Sequence, residues 1–312
     1  MKTLITAICA VVLVECSCAQ ISTNQWSMNL KVVDDAGQSV ASAKVGIAYS
    51  VFDKLHWTNV VGRIEGLTDT NGIFAASHEG AYSLGLQVEK EGYYPVNVVY
   101  ELTDRYRPEL WNLNPTWMLK KIIKPTAMYA RLIEGGPPVF NEPVGYDLSV
   151  GDWVAPHGRG VITDLIFTGN IDKKGDNDFD YKLTVSFPNL GDGIQEFTTP
   201  PVRFFGDGSA LRSSQLAPAD GYQPEVIKTM SRHPGQPSNS DMNNEKKSYY
   251  FRVKTVLDEQ GKVKSALYGK IYGDFMQFRY YLNPTPNDRN VEFDPKQNLL
   301  KNLKSPEQVT AP

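Results

Sequence analysis

The chain has 312 residues, with 32 Lys and Arg against 35 Asp and Glu and a formal net charge of −3. So small an imbalance offers no broad positive field for nucleic acid or an anionic membrane. The three cysteines, Cys9, Cys16 and Cys18, all fall near the start, so the rest of the chain has no disulfide, thiolate metal site or cysteine nucleophile.

Lys2 precedes an apolar run from Leu4 to Val14 that only Thr6 interrupts, and Ser17-Cys18-Ala19 has small residues at both flanking positions. This pattern predicts a secretory signal peptide over residues 1–19, cut before Gln20. The run is too short to span a bilayer, which takes about 20 residues. Acylation of Cys16 or Cys18 is the rival, and Glu15 is a poor neighbour for both. The expectation is an exported protein, periplasmic or extracellular, that does not span the membrane.

From Leu30 to Tyr100 the pattern is that of a β-sandwich. Leu30 to Asp34 reads as a strand entering the turn Asp34-Asp35-Ala36-Gly37. Val45, Ile47 and Tyr49 alternate, and Leu84, Leu86 and Val88 alternate again. Thr68-Asp69-Thr70-Asn71-Gly72 is a tight turn, because Asn and Gly tolerate positive φ. Leu110 to Leu119 supplies a last strand. These turns and strands resemble the carboxypeptidase regulatory-like domain, a prealbumin-like sandwich found on many secreted bacterial proteins. The resemblance covers residues 20–123 and implies an accessory module without chemistry of its own.

Pro125 opens a second β-rich region, residues 124–298, followed by a tail at 299–312. Lys120, Lys121 and Lys124 before it read as a solvated strand end. Tyr181 to Phe187 alternates with period two, and Tyr249 to Leu257 with Val263 to Tyr272 form a hairpin through Asp258-Glu259-Gln260-Gly261. Phe275 to Leu282 is a further strand. Short helices are expected at most around Glu225 to Met230 and Leu299 to Leu303, and Arg232 to Lys247 reads as a mobile polar loop. The predicted class is all-β, with two β-sandwich domains, the second an antiparallel sandwich or jelly-roll. Tyr146-Asp147-Leu148, Gly151-Asp152-Trp153, Tyr268 to Asp274 and Tyr281 to Pro284 resemble uncharacterised secreted proteins of the Verrucomicrobia and Planctomycetes kind. That resemblance implies no activity.

The familiar catalytic signatures are missing. None of His56, His78, His157 and His233 has Glu three residues later, and H-E-x-x-H does not occur. G-x-S-x-G and the phosphate-binding loop are also absent. Asp172, Asp176, Asp178 and Asp180 crowd one short run. It reads either as an exposed hairpin turn or as an oxygen-rich Ca²⁺ loop, although the sixth and twelfth positions from Asp176 are Tyr181 and Phe187 rather than the Gly and Glu of an EF-hand. Calcium is thus the one cofactor the pattern raises.

Trp57 and Trp153 are the candidate stacking platforms for a sugar ring, against core packing as the plainer reading of the aromatics. The pairs Tyr93-Tyr94, Tyr249-Tyr250 and Tyr280-Tyr281 are each expected to point one ring inward and one outward. Asp147, Asp152 and Asp164 beside Trp153 are the first guess for a glycosidase pair. The sequence assigns no catalytic residue. It points to an exported non-catalytic binding or scaffold protein with a glycan or an envelope protein as partner. A glycoside-active enzyme is the alternative.

Overall fold

A computed structural model describes residues 25–53, 56, 58–79, 81, 83–102, 111–199, 208–242 and 247–312. The predicted signal segment, Trp57 and the cysteines lie outside the described residues. Strands dominate. Among the described residues there is no α-helix, and Ser305–Glu307 forms a short 3-10 turn.

The first sandwich is built on β1 (Gln25–Asp34), in which Trp26, Met28, Leu30 and Val32 are buried and the residues between them are not. Period-two alternation sends every second side chain into the core. β1 pairs antiparallel with β4 (Ile73–Glu79) and parallel with β7 (Asn112–Leu113) and β8 (Thr116–Leu119). The facing sheet runs β15-β6-β5-β2-β3, from β2 (Lys44–Asp53), β3 (Thr58–Leu67), β5 (Ser83–Glu89), β6 (Val96–Glu101) and β15 (Gly208–Ser209). Val45, Ile47, Leu84, Leu86, Val88 and Val96 meet the β1 face in one core. β15 comes from far along the chain and closes one edge against β6.

Three turns share one construction. Asp34 Oδ1 accepts from the N–H of Ala36 and Gln38, Asp69 Oδ1 from Asn71 and Ile73, and Asp258 Oδ1 from Gln260 and Lys262. The glycine three residues after each Asp has positive φ, at Gly37, Gly72 and Gly261. The carboxylate satisfies two turn donors while the glycine takes the left-handed conformation. At Gly72 a Cβ would also meet the Val32 carbonyl oxygen.

The second sandwich has two six-stranded sheets. One runs β11-β10-β12-β13-β16-β17, from β10 (Pro143–Asp147), β11 (Asp152–Trp153), β12 (Leu165–Gly175), β13 (Asp178–Ser186), β16 (Glu225–Arg232) and β17 (Asn239–Ser240). The other runs β14-β18-β19-β20-β9-β21, from β9 (Thr126–Glu134), β14 (Gly193–Thr198), β18 (Lys247–Leu257), β19 (Val263–Gly273), β20 (Gln277–Leu282) and β21 (Phe293–Asn298). Phe167, Tyr181, Leu183, Val185, Phe251, Val253, Ile271, Phe278 and Tyr280 fill the space between them.

Three expectations need correction. Glu225–Arg232 is a strand, not a helix: it pairs with all but the first residue of β13, and Lys228 opposite Leu183 turns inward. Leu299 to Leu303 carries no helix either. The expected mobile loop is anchored from Arg232 to Met242, because β17 pairs with Met230 and Ser231 and Met242 is buried in the core, and residues 243–246 of it lie outside the described residues. Of the tyrosine pairs, Tyr94 is buried and Tyr93 only partly so, but Tyr249 and Tyr250 are both buried, and so are Tyr280 and Tyr281. The β18–β19–β20 sheet is covered on both faces. Its second face packs under Ala217, Val291, Phe293 and Val309, which leaves no solvent side for a ring.

That covering layer also meets the first sandwich. Glu292, fully buried, accepts from Tyr94 Oη at 2.8 Å, from Ile123 N at 2.8 Å and from Lys124 N at 2.6 Å. Lys120 Nζ donates to the carbonyls of Arg212 and Ser213. Lys270 beside it is wholly enclosed, with its ammonium over the rings of Tyr272 and Tyr281 at 4.9 and 4.7 Å and 3.3 Å from Ser213 Oγ. Burial pushes its pKa well below the usual lysine value.

Candidate functional site

The carboxylates around Trp153 organise loops. Asp147 Oδ1 accepts from the N–H of Ser149 and Val150, and Oδ2 from Val161 and Ile162. Burial works against its charge, but the four backbone donors outweigh it and hold the pKa below the ordinary value. Asp152 accepts from the N–H of Trp153 and from both the N–H and the guanidinium of Arg159. Asp164 Oδ2 accepts from Leu148 N, and Oδ1 lies 3.5 Å from Lys254 Nζ, which also donates to Ser149 Oγ at 3.0 Å. Burial raises the Asp164 pKa to about 6, against the pull of Lys254.

Lys254 reaches these loops because β18 bulges there and the residue takes φ +53. Bulges re-aim side chains in this way. Asp147 and Asp164 therefore have displaced pKa values, as an acid–base pair needs. Yet each is only 2% exposed, with its oxygens turned to backbone and Lys254. Trp153 packs edge-on to Tyr146 and Phe167 at 5.0 and 5.2 Å. It is half-buried core packing rather than an open stacking platform.

The aspartate run lies at the other end of the sheet. Asp176 and Asn177 form the turn between β12 and β13, and Asp172 stands directly opposite Asp180 in the ladder. Asp176 pairs with Lys173 at 2.7 Å. Asp178 and Asp180 flank one imidazole, with His233 Nδ1 2.9 Å from Asp178 and Nε2 3.3 Å from Asp180. The hydrogen bond to Asp178 leads the causes that raise the His233 pKa. Among the described residues, no group of three or more His, Cys, Asp or Glu side chains is placed to hold a metal ion.

Beside that imidazole, the outer face of β12, β13 and β16 carries a groove of about 490 Å³. Register places its rows: Asn170 opposite Lys182 opposite Thr229, and Asp172 opposite Asp180 opposite Ser231. Neighbouring strands stand about 4.8 Å apart and successive outward residues about 7 Å apart, so the groove floor is a grid of polar groups at that spacing. The side chains of Asn170, Asp172, Lys182, Thr229 and Ser231 make no hydrogen bond within the described residues, unlike the carboxylates around Trp153. Such an array of amide, carboxylate, ammonium and hydroxyl groups can donate to and accept from a polyhydroxylated ligand without first breaking protein contacts. Of its residues the sequence singled out only Asp172 and Asp180. The others follow from alternation once β16 is known to be a strand.

No protein-family model matches the chain, and no curated protein matches it. Among the solved structures that show weak likeness are the following two. One is the 3-chlorocatechol 1,2-dioxygenase of Rhodococcus opacus 1CP, at 15% identity and a TM-score of 0.26, covering 32% of this chain and 61% of the dioxygenase. The other is titled "a putative carbohydrate binding protein" from Bacteroides uniformis ATCC 8492, at 15% identity and a TM-score of 0.19, covering 84% of this chain and 98% of that protein. At those scores neither likeness bears on chemistry. No helix among the described residues is long and apolar enough to cross a membrane.

Proposed function

We propose that this is an exported, non-catalytic binding protein that takes a glycan on the polar groove of β12, β13 and β16. The observation that carries the reading is the free set of Asn170, Asp172, Lys182, Thr229 and Ser231 on a rigid sheet, in a groove large enough for a small ligand. Export rests on the pattern of residues 1–19. The first sandwich acts as an accessory module of the carboxypeptidase regulatory-like kind, on the strength of its turns at Asp34–Gly37 and Asp69–Gly72. Catalysis is disfavoured by the enclosure of Asp147 and Asp164, since a substrate-facing acid needs an open path.

A glycan array with the wild type and an Asp172→Ala, Lys182→Ala double variant tests the reading. Selective retention of some glycans by the wild type, lost in the variant, supports it. Retention unchanged in the variant, or no retention of any glycan, refutes the groove as the site. Release of reducing sugar from a retained polysaccharide refutes the non-catalytic part.

A further inference from the structure

Most sheet edges in this molecule are blunted in ways that stop a foreign strand from adding. β11, β15 and β17 are two residues long, β21 has a register shift, and β14 is bridged by Gln223. β4 is longer, but apart from Ile73 it turns only small or polar residues outward. β3 is the exception. It is a ten-residue outer strand, regular along its whole pairing with β2, and among the described residues no strand pairs with its other side. It has neither Pro nor Lys, the residues that commonly guard an edge. Its outward face holds Val61, Arg63, Glu65 and Leu67. Val61 is 73% and Leu67 62% exposed, costly for aliphatic side chains with nothing over them.

The order of those four residues is self-complementary. Place a second copy antiparallel, with the two-fold axis through Ile64. Arg63 then faces Glu65 of the other copy, Glu65 faces its Arg63, and Val61 and Leu67 face each other at both ends. On the inward side Gly62 falls opposite Gly66, and Ile64 meets Ile64 of the other copy on the axis, an apolar pair. A two-residue slip would set Arg63 against Arg63 or Glu65 against Glu65. Like charges directly opposite are unfavourable, and opposite charges and apolar pairs are favourable. A closed two-fold contact of this kind also consumes both edges, leaving none for further addition. We propose that β3 is a self-association edge, through which two copies of this chain join their five-stranded sheets antiparallel about Ile64.

Within one chain Arg63 Nε already lies 2.6 Å from Glu65 Oε1, and Arg63 also donates to Gln87. Glu65 also lies 3.9 Å from Lys44 Nζ, and association would add an opposite charge across the axis to Arg63 and to Glu65, joining the two surface clusters into one network. The occupant is a second copy, because the pattern matches its own reverse.

Sedimentation equilibrium of the full chain tests this, with charge reversals at two half-exposed positions. Arg63→Glu and Glu65→Arg, each alone, set like charges in both central pairs and should weaken the dimer at least about tenfold. The double variant Arg63→Glu, Glu65→Arg should restore it. An equimolar mixture of the two single variants should form the mixed dimer, since each then supplies what the other lacks. Unchanged melting curves show that the variants fold. A wild type that stays monomeric at high micromolar concentration overturns the proposal. So do single variants that associate like the wild type, or a mixture that does not associate. None of these outcomes depends on glycan binding, so this proposal and the groove reading fail separately.

Discussion

Replacing Asp164 by Asn should stabilise the protein at neutral pH, in a pH-dependent manner. The Asp164 carboxyl is enclosed, and burial lifts its pKa from the ordinary 3.8 to about 6. At 1.36 kcal/mol for each pH unit, that gap corresponds to about 3 kcal/mol of cost for holding the ionised form in the folded state. The sign follows from proton counting. Between pH 4 and 6 the folded chain binds more protons at this site than the unfolded chain, so stability falls as pH rises through that window and levels off above it. Asn keeps an acceptor for Leu148 N and cannot ionise. The attraction of Lys254 for the carboxylate is already contained in that pKa, but the amide of Asn would turn an N–H donor toward the Lys254 ammonium, a mismatch that costs about 1 kcal/mol. The expected net gain at pH 7 is about 2 kcal/mol. Urea unfolding at pH 4, 5, 6 and 7 gives the stability difference between wild type and Asp164→Asn, in which the other carboxylates cancel. A difference that shifts toward the variant as pH rises from 4 to 6 is the expected result. A flat difference, or one that shifts toward the wild type, refutes the account of a buried, reluctantly charged carboxyl.

The His233 ring should titrate above an ordinary histidine in NMR, and Asp178→Asn should lower that value. Its contribution to stability is complete below the unfolded pKa and is lost as pH rises through the folded one. Gly72→Ala should cost about 2 kcal/mol in thermal unfolding, because φ is +73 and the added Cβ meets the Val32 carbonyl, whereas Gly37→Ala meets nothing and should cost less. Glu292→Gln should cost about 2–3 kcal/mol, since an amide presents one acceptor oxygen where three donors now converge. Equal costs for the two glycines, or a neutral Glu292 variant in urea unfolding, would count against these turn and junction arguments.

Much of the fold was legible because strands with one wet face announce themselves. β1 hides Trp26, Met28, Leu30 and Val32 and shows the residues between them, and the three Asp-x-x-Gly turns carry their own donors' partner. Legibility failed where a sheet has no wet face. In β18 and β20 the adjacent tyrosines are both buried, since a later stretch of chain returns to cover the sheet, and local alternation contains no sign of that return. β16 was misread for a related reason, as Lys228 occupies an inward position where an apolar residue is expected. The groove was legible only in its aspartates. Asn170, Thr229 and Ser231 are ordinary surface residues until pairing brings them into one row. The loop carboxylates were found as residues but not as structural anchors, because their partners are backbone groups, which a side-chain pattern does not display.

The Glu292 junction has a consequence for reach. A flexible tether between two modules lets each sample a volume, and the second contact of a two-headed binder is then weighted by how much of that volume is productive. Here Tyr94 and the backbone of Ile123 and Lys124 terminate on one carboxylate, so the passage from the first sandwich to the second has no slack at that point. Two copies joined along β3 would hold their grooves at one set separation, like the points of a divider. Repeating ligands whose period matched that separation would be held far more tightly than single units, and mismatched ones would gain nothing from the second copy.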